Sequence, residues 1–233
     1  MSVALITGGS AGLGLELVKA LAAQGWTVIT DGRDADRLTL ATAALPGVVA
    51  IPGDVTDADH RELLKKAIDE LGQLHLLVHS ASTLGPTPLR PLETMTIEDL
   101  RTVWQTNVGA PLVLTSGLLP ALKASAGVLV SISSDAAIEH YVGWGLYGAS
   151  KAGLDHVTLT YGEEAGLTAY AIDPGDMRTQ MHQDAFPGED ISDRPLPETV
   201  VPHVLGLLAQ QPPSGRYKAA DFPAADQLAT QGA

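Results

Sequence analysis

Tyr147 and Lys151 stand four residues apart in the run Tyr147-Gly148-Ala149-Ser150-Lys151. On a helix this spacing sets both side chains on one face, a turn apart. An ammonium beside a phenol stabilises the phenolate and lowers the phenol's pKa. Such a phenol can exchange a proton with an alcohol or carbonyl oxygen near neutral pH. Ser134 lies 13 residues upstream, directly after an apolar run, where its hydroxyl can hydrogen-bond the same substrate oxygen. Asn107 falls between two helix-period segments, with Gly109 and Pro111 following. Taken singly, each has a plainer reading: a solvated helix face for the Tyr–Lys pair, a turn residue for Ser134, a helix cap for Asn107.

A second cluster opens the chain. The run Ser2–Thr7 is strand-like and leads into Thr7-Gly8-Gly9-Ser10-Ala11-Gly12-Leu13-Gly14, after which a helical pattern begins. Glycines at a strand-to-helix turn let the backbone approach a pyrophosphate, and the helix N-terminus offers free N–H groups and a positive dipole end. The spacing is not the six-residue G-x-G-x-x-G, and the Lys-Ser/Thr ending of a triphosphate loop is missing. The phosphates this loop predicts therefore belong to a dinucleotide. The next strand ends Thr30-Asp31-Gly32-Arg33. An acid at that point holds the adenine ribose diol, whereas a base accepts a 2′-phosphate. Arg33 suits the second role unless it pairs with Asp34 or Asp36. Asp31 serves the first only if its side chain turns inward.

The elements that must carry these residues alternate along the chain. Short β-branched or Leu-rich runs at 3–7, 27–30, 48–51, 75–79, 128–132, 168–172 and 216–219 read as strands. Helical periodicity covers 13–24, about 35–45, 56–71 with Thr56 as N-cap and Gly72 as stop, 96–106 with Thr96 and Asp99 at its start, 108–122, 147–164 and 198–210. This alternation predicts a parallel sheet covered on both faces, in a single α/β domain spanning 1–233. The segment 173–196 is too long for a simple connection and reads as a lid or substrate loop.

Composition narrows the chemistry. The 14 Lys+Arg against 27 Asp+Glu leave a formal charge of −13 over 233 residues, which disfavours nucleic acid and anionic membrane as partners. With no cysteine, thiol catalysis, zinc–thiolate sites and iron–sulfur clusters are excluded. His75 and His79 share a strand face but lack a metal-binding context, and no metal site is expected. No leader peptide or membrane-spanning stretch is visible, so a cytoplasmic location is expected.

The glycine loop, Asn107, Ser134, Tyr147 and Lys151, in this order and spacing, resemble the short-chain dehydrogenase/reductase family over about residues 3–220. Residues 7–14 resemble its T-G-x-x-x-G-x-G and 147–151 its Y-x-x-x-K. Asp54-Val55 resembles the pair that contacts adenine, and Pro174-Gly175 with Thr179 the stretch that holds the nicotinamide carboxamide. The resemblance implies a Rossmann-like, doubly wound parallel sheet of about seven strands and an NAD(P)-dependent hydride transfer. Tyr147 would be general acid in reduction or base in oxidation. Lys151 would hold the nicotinamide ribose and lower the Tyr147 pKa, Ser134 would orient the carbonyl, and Asn107 would anchor a water serving Lys151. The implied cofactor contacts are Gly8, Ser10, Ala11, Gly12, Leu13, Gly14, Arg33, Asp54, Val55, Ser80, Ala81, Ser82, Tyr147, Lys151, Pro174, Gly175, Met177 and Thr179. Three departures stand out. The family's N-N-A-G is here His79-Ser80-Ala81-Ser82. Position 11 is Ala where many NADP-preferring members carry a base. The tail beyond Ala220 lacks the usual Asp-Gly-Gly close. Arg33 after Gly32 matches the NADP pattern, so NADP(H) is favoured over NAD(H).

For the substrate, Tyr141, Trp144, Met181 and His182 are the candidate pocket residues, with Phe186 beside the lid. Aromatic and apolar walls suit a ketone or aldehyde. The expected activity is NADPH-dependent reduction of a small carbonyl compound to an alcohol. The rival within the class is a 3-oxoacyl-carrier-protein reductase, disfavoured because an acidic carrier is repelled by a chain at −13. From another class, a non-catalytic NADP-binding sensor or scaffold should have lost one of Asn107, Ser134, Tyr147 or Lys151, and all four stand. By resemblance, the helices at 96–122 and 147–164 would pair subunits into a homodimer or homotetramer.

Overall fold

The computed structural model describes residues 2–225; Met1 and residues 226–233 of the expected 1–233 domain lie outside the described residues. Seven strands form one sheet in the order β3-β2-β1-β4-β5-β6-β7, with every pair parallel. They are β1 (Val3–Ile6), β2 (Thr27–Gly32), β3 (Val48–Pro52), β4 (Leu76–His79), β5 (Val128–Ile132), β6 (Thr168–Asp173) and β7 (Gly215–Lys218). The expected doubly wound α/β architecture is thus the observed one. The strand order reverses between β1 and β4, which opens a crevice at the carboxyl edge, where open sheets of this kind take their ligands.

Strand alternation decides which helix covers which face. Ala4, Ile6, Leu76 and Val78 point to α1 (Gly12–Ala23) and α8 (Pro197–Gln210), through Leu17, Val18, Leu21, Val200, Val204 and Leu207. Val3, Leu5 and Leu77 point to α3 (Ala58–Leu71) and α5 (Ala110–Ala124), through Leu64, Ile68, Leu114, Leu118 and Leu122. A third, smaller cluster of Leu84, Ala136, Tyr147 and Ala185 lies at the carboxyl edge, with Trp144, Met181 and Phe186 packed on it.

Local chemistry explains most of the boundaries. Gly72 ends α3 at φ +69°, and Gly166 ends α6 (Gly145–Ala165) at φ +66°. Thr96 and Asp99 form a reciprocal capping box at the start of α4 (Ile97–Trp104). Four expectations need correction. Asp57, not Thr56, caps α3: its carboxylate accepts from Asp59 N, while Thr56 is bound by Asp54 through both its N and its hydroxyl. The helices expected at 96–106 and 108–122 are one helical run widened into a π-turn over Gln105–Gly109, so Asn107 caps nothing. The segment 173–196 contains a short helix, α7 (Gln180–Ala185), capped by Thr179, whose hydroxyl accepts from His182 N. The second helix, α2 (Ala35–Thr42), is three residues shorter than its pattern implies.

Candidate active site

Six strand ends deliver the candidate residues to one cleft of about 790 Å³. The glycine loop follows β1, Gly32-Arg33 closes and follows β2, and Asp54-Val55 follows β3. Ser80, Ala81 and Ser82 follow β4, Ser134 follows β5, and Pro174-Gly175 follows β6. Tyr147 and Lys151 enter from the first turns of α6, and Tyr141, Trp144, Met177, Thr179, Met181 and His182 form the opposite wall. Every expected site residue except Asn107 lines this cleft.

The glycine cradle is built by close backbone approach. Gly8 has φ +74°, and a Cβ there would lie 2.8 Å from Ala81 Cα. At Gly14 a Cβ would stand 2.5 Å from the Gly8 carbonyl oxygen, so only glycine lets α1 start against the loop. Thr7 ties the loop to the next strand end, its hydroxyl accepting from Ser80 N and Ala81 N at 3.1 Å each. Ser10, Ala11, Gly12 and Leu13 complete the cradle at the N-terminus of α1. Arg33 lines the far end and forms no ion pair among the described residues, leaving its guanidinium open to an anion. Burial works against ionisation of Asp54. The Thr56 N–H and hydroxyl, with Arg33 and His60 nearby, nonetheless hold its carboxyl below the usual range.

Asp31 lines the cleft, but both of its carboxylate oxygens are already engaged. Its Oδ1 accepts from Gly8 N at 2.7 Å and its Oδ2 lies 3.1 Å from His60 Nε2, the two side chains being 2% and 5% exposed. No sequence pattern announces this pair, because the partners are 29 residues apart on different elements.

At the other end, α6 can press against the Ser134 turn because Gly148 meets Ala136 O, where a Cβ would sit at 2.3 Å. Lys151 is buried and donates to Ile132 O at 2.8 Å, with its ammonium 5.6 Å from the centre of the Tyr147 ring. Burial lowers the Lys151 pKa to about 8, opposed by Asp155 one turn further on. Burial pushes the Tyr147 phenol above its ordinary value, with the Ser134 and Ser82 hydroxyls pulling the other way. The expected lowering of the phenol by Lys151 is not among these influences, and desolvation dominates. A neutral, desolvated phenol is the form that can give a proton.

Asn107 lies behind the cleft, fully buried. Its Oδ1 accepts from Thr83 N at 2.8 Å and Ser82 Oγ at 3.2 Å, and its Nδ2 donates to Thr83 O and Ser150 Oγ at 2.9 Å each. All four hydrogen-bonding positions of the amide are thus filled, so this side chain holds the Ser82-Thr83 loop and helix α6 together. Of the family's two amides at 79 and 80, the first has a hydrogen-bonded replacement. His79 replaces the first, with its Nε2 2.7 Å from the Thr115 hydroxyl on α5.

Burial lowers the His79 pKa to about 3 from 6.5. The unfolded chain therefore binds a proton that the folded chain refuses between those two values. Stability then falls as pH drops through this window, by up to about 1.4 kcal/mol per pH unit from this group. We expect His79→Asn, which has no group titrating there, to flatten the decline of Tm below pH 6.5; an unchanged pH–Tm profile would contradict this.

Four further side chains brace the site, and none belongs to the expected set. Arg216 on β7 donates through Nη2 to Ser134 O at 2.7 Å and to Asp173 Oδ2 at 3.4 Å, and through Nε to Asp155 Oδ2 at 3.1 Å. Ser133 Oγ adds a bond to Asp155 at 2.8 Å, and Asp173 Oδ1 accepts from Gly175 N at 3.0 Å. One guanidinium thus ties the Ser134 turn, the Pro174-Gly175 turn and helix α6 together. Burial raises the Asp155 pKa, against Ser133, Arg216 and Lys151. The signal for Asp155 was present in the sequence: 147, 151 and 155 repeat at four residues on one helix face.

The wall opposite the glycine cradle's end is aromatic. Trp144 packs edge-on to Tyr147 at 5.6 Å and against Phe186 at 5.9 Å, and His182 lies over Phe186 at 5.0 Å. His182 is no free surface group: its side chain is 10% exposed and its Nδ1 lies 3.9 Å from Asp176. Tyr141 donates to Asp135 at 2.8 Å, which pushes its phenol up to about 12. Among the described residues, no helix is long and apolar enough to cross a membrane.

A glycine cradle at the β1–α1 turn, joined by one cleft to a Ser–Tyr–Lys set, has close counterparts. The short chain dehydrogenase family model matches residues 2–190. The chain belongs to the short-chain dehydrogenase/reductase family. It is an oxidoreductase of that family. The serine 3-dehydrogenase of Agrobacterium fabrum is 33% identical over 76% of this chain and 72% of its own length. The uncharacterised oxidoreductase YciK of Escherichia coli is 30% identical over 88% of this chain and 85% of its own. A short chain dehydrogenase of Shigella flexneri solved in complex with NADP superposes with a TM-score of 0.86 at 28% identity, covering 94% of this chain and 97% of that one.

Proposed function

We propose that this short-chain dehydrogenase/reductase uses NADPH to reduce a small ketone or aldehyde to an alcohol. The observation that carries the reading is the continuity of the cleft. The Gly8–Gly14 cradle and an unpaired Arg33 occupy one end, and Ser134, Tyr147 and Lys151 occupy the other under an aromatic wall. The fit to a dinucleotide rests on the cradle, which side chains at positions 8 and 14 would fill. The NADP bound to the Shigella flexneri relative supports the same choice.

Gly8 and the residues from Ser10 to Gly14 would hold the pyrophosphate. Arg33 would hold the 2′-phosphate, and Asp54, Val55, Ser80, Ala81 and Ser82 would line the adenosine side. Lys151 would hold the nicotinamide ribose, with Pro174, Gly175, Met177 and Thr179 around the nicotinamide. When bound, the cofactor supplies the hydride. Ser134 orients the substrate oxygen, and Tyr147 keeps its proton until that oxygen gains electron density, then donates it. The raised Tyr147 pKa favours this direction, because the phenol enters the reaction protonated. Asn107 and Arg216 act as positioning residues for the loops that carry these groups.

The same reading includes a homodimer or homotetramer. Trp104, Leu112 and Val113 leave an apolar stripe 40–49% exposed on α4 and α5, beside α6. A stripe of this kind is suited to burial against a second copy.

An NADPH-oxidation screen over ketones, aldehydes, quinones and 3-oxo thioesters tests the proposal. Turnover of simple carbonyls supports it, turnover of thioesters alone favours a carrier-protein reductase, and binding without turnover favours a sensor. Arg33→Ala should weaken NADPH about tenfold or more while leaving NADH nearly unchanged, as expected for loss of a charge-assisted phosphate contact. Equal weakening of both in a binding titration would remove Arg33 from that role.

A further inference from the structure

The end of β2 carries an acid, a glycine and a base in succession: Asp31, Gly32 and Arg33. An acid here takes the ribose diol of a cofactor without a 2′-phosphate and repels one that has it. The Asp31 carboxylate is not free to do either, and one of the two causes lies outside the glycine-loop motif. Both of its oxygens are engaged below the loop, Oδ1 by Gly8 N and Oδ2 by His60 Nε2. His60 reaches in from the first turn of α3 and lies flat against Gly53, where a Cβ would come within 2.1 Å of its Nδ1. The place next to Asp31 admits no larger residue, since a Cβ on Gly32 would lie 2.9 Å from Ser10 Cβ. The charged groups around His60 are Asp31, Asp54 and, across Asp54, Arg33.

We propose that His60 is a positioning residue that sets cofactor preference: it holds the Asp31 carboxylate under the glycine loop and so leaves the ribose site to Arg33. The inference rests on the NADPH reading above and deepens it. It accounts for a chain that keeps an acid at the end of β2 and still presents a basic ribose site. Without His60, the Oδ2 of Asp31 loses the one side-chain partner it has among the described residues, and rotation toward the cleft becomes its route to a hydrogen bond.

The test is the ratio of NADPH to NADH dissociation constants, measured by fluorescence titration on the full chain. Wild-type protein should prefer NADPH; a preference for NADH would overturn the parent reading itself. His60→Ala should cut the NADPH:NADH preference by about tenfold, through both repulsion of the phosphate and capture of the ribose diol. His60→Gln, which keeps a donor toward Asp31, should retain most of the preference. Asp31→Ser placed in the His60→Ala background should restore it. If His60 only supports the fold, His60→Ala weakens both cofactors alike and Asp31→Ser restores nothing; either result overturns the inference while leaving the NADPH reading intact. Should His60→Ala fail to fold, Asp31→Ser alone decides. With no carboxylate to release, it should keep the NADPH preference and weaken both cofactors by a similar factor, whereas a fall in the preference overturns the inference.

Discussion

Tyr147→Phe should lower carbonyl reduction by roughly 10³-fold, the range expected when a positioned general acid is removed. Cofactor affinity should change little, because Tyr147 is one of many proposed cofactor contacts, and the glycine loop, Arg33 and Lys151 are all kept. The fold should also persist, since the ring keeps its packing against Trp144, Leu84, Ala136 and Ala185. Steady-state NADPH oxidation together with a binding titration checks both halves. The pH profile adds a sign. Lys151 has a pKa lowered to about 8 by burial, so it is an ammonium below that value and a neutral amine above it. Tyr147 stays protonated through the same range. Reduction should therefore be fastest below about pH 8 and decline above it. Residual turnover near wild type in Tyr147→Phe would assign the proton to another group.

The second large effect should fall on stability. Arg216→Met removes the one cation that faces both Asp155 and Asp173, whose side chains are 10% and 4% exposed. Breaking a buried ion pair from one side costs about 3–5 kcal/mol, because a charge is left without compensation. In a chain of this size that is roughly ten degrees in Tm. The loss should be partly recovered by adding Asp155→Asn, which removes one stranded charge; the sum of two independent losses would show that the residues are not coupled. Chemical denaturation of the single and double variants measures this. Turnover should also fall, since the guanidinium holds the Ser134 carbonyl.

Much of this architecture was legible in the residues. Parallel strands buried on both faces are short apolar runs, so β1, β4, β5 and β6 could be read within one or two residues. Gly8, Gly14, Tyr147 and Lys151 stand out because local spacing alone imposes their geometry. What could not be read depends on partners remote in sequence. Asp31 stood open as a ribose ligand, should its side chain turn inward, until His60 and Gly8 were seen to hold both its oxygens. His79 looked like a lost amide until Thr115, 36 residues away, supplied its partner. The plainer reading of Asn107 as a cap arose because periodicity cannot distinguish a break between helices from a π-turn within one. Arg216 is visible only once β7 is laid beside β6.

The most direct test of the account follows the transferred atoms. NADPH carrying deuterium at both positions of nicotinamide C4, mixed with wild-type protein and a ketone or aldehyde that the screen identifies, should yield an alcohol with one deuterium on the former carbonyl carbon. Tyr147→Phe should give that product only at the residual rate while binding NADPH as tightly as wild type. A protein that binds NADPH but transfers no deuterium to any carbonyl in the panel would contradict the proposed reduction.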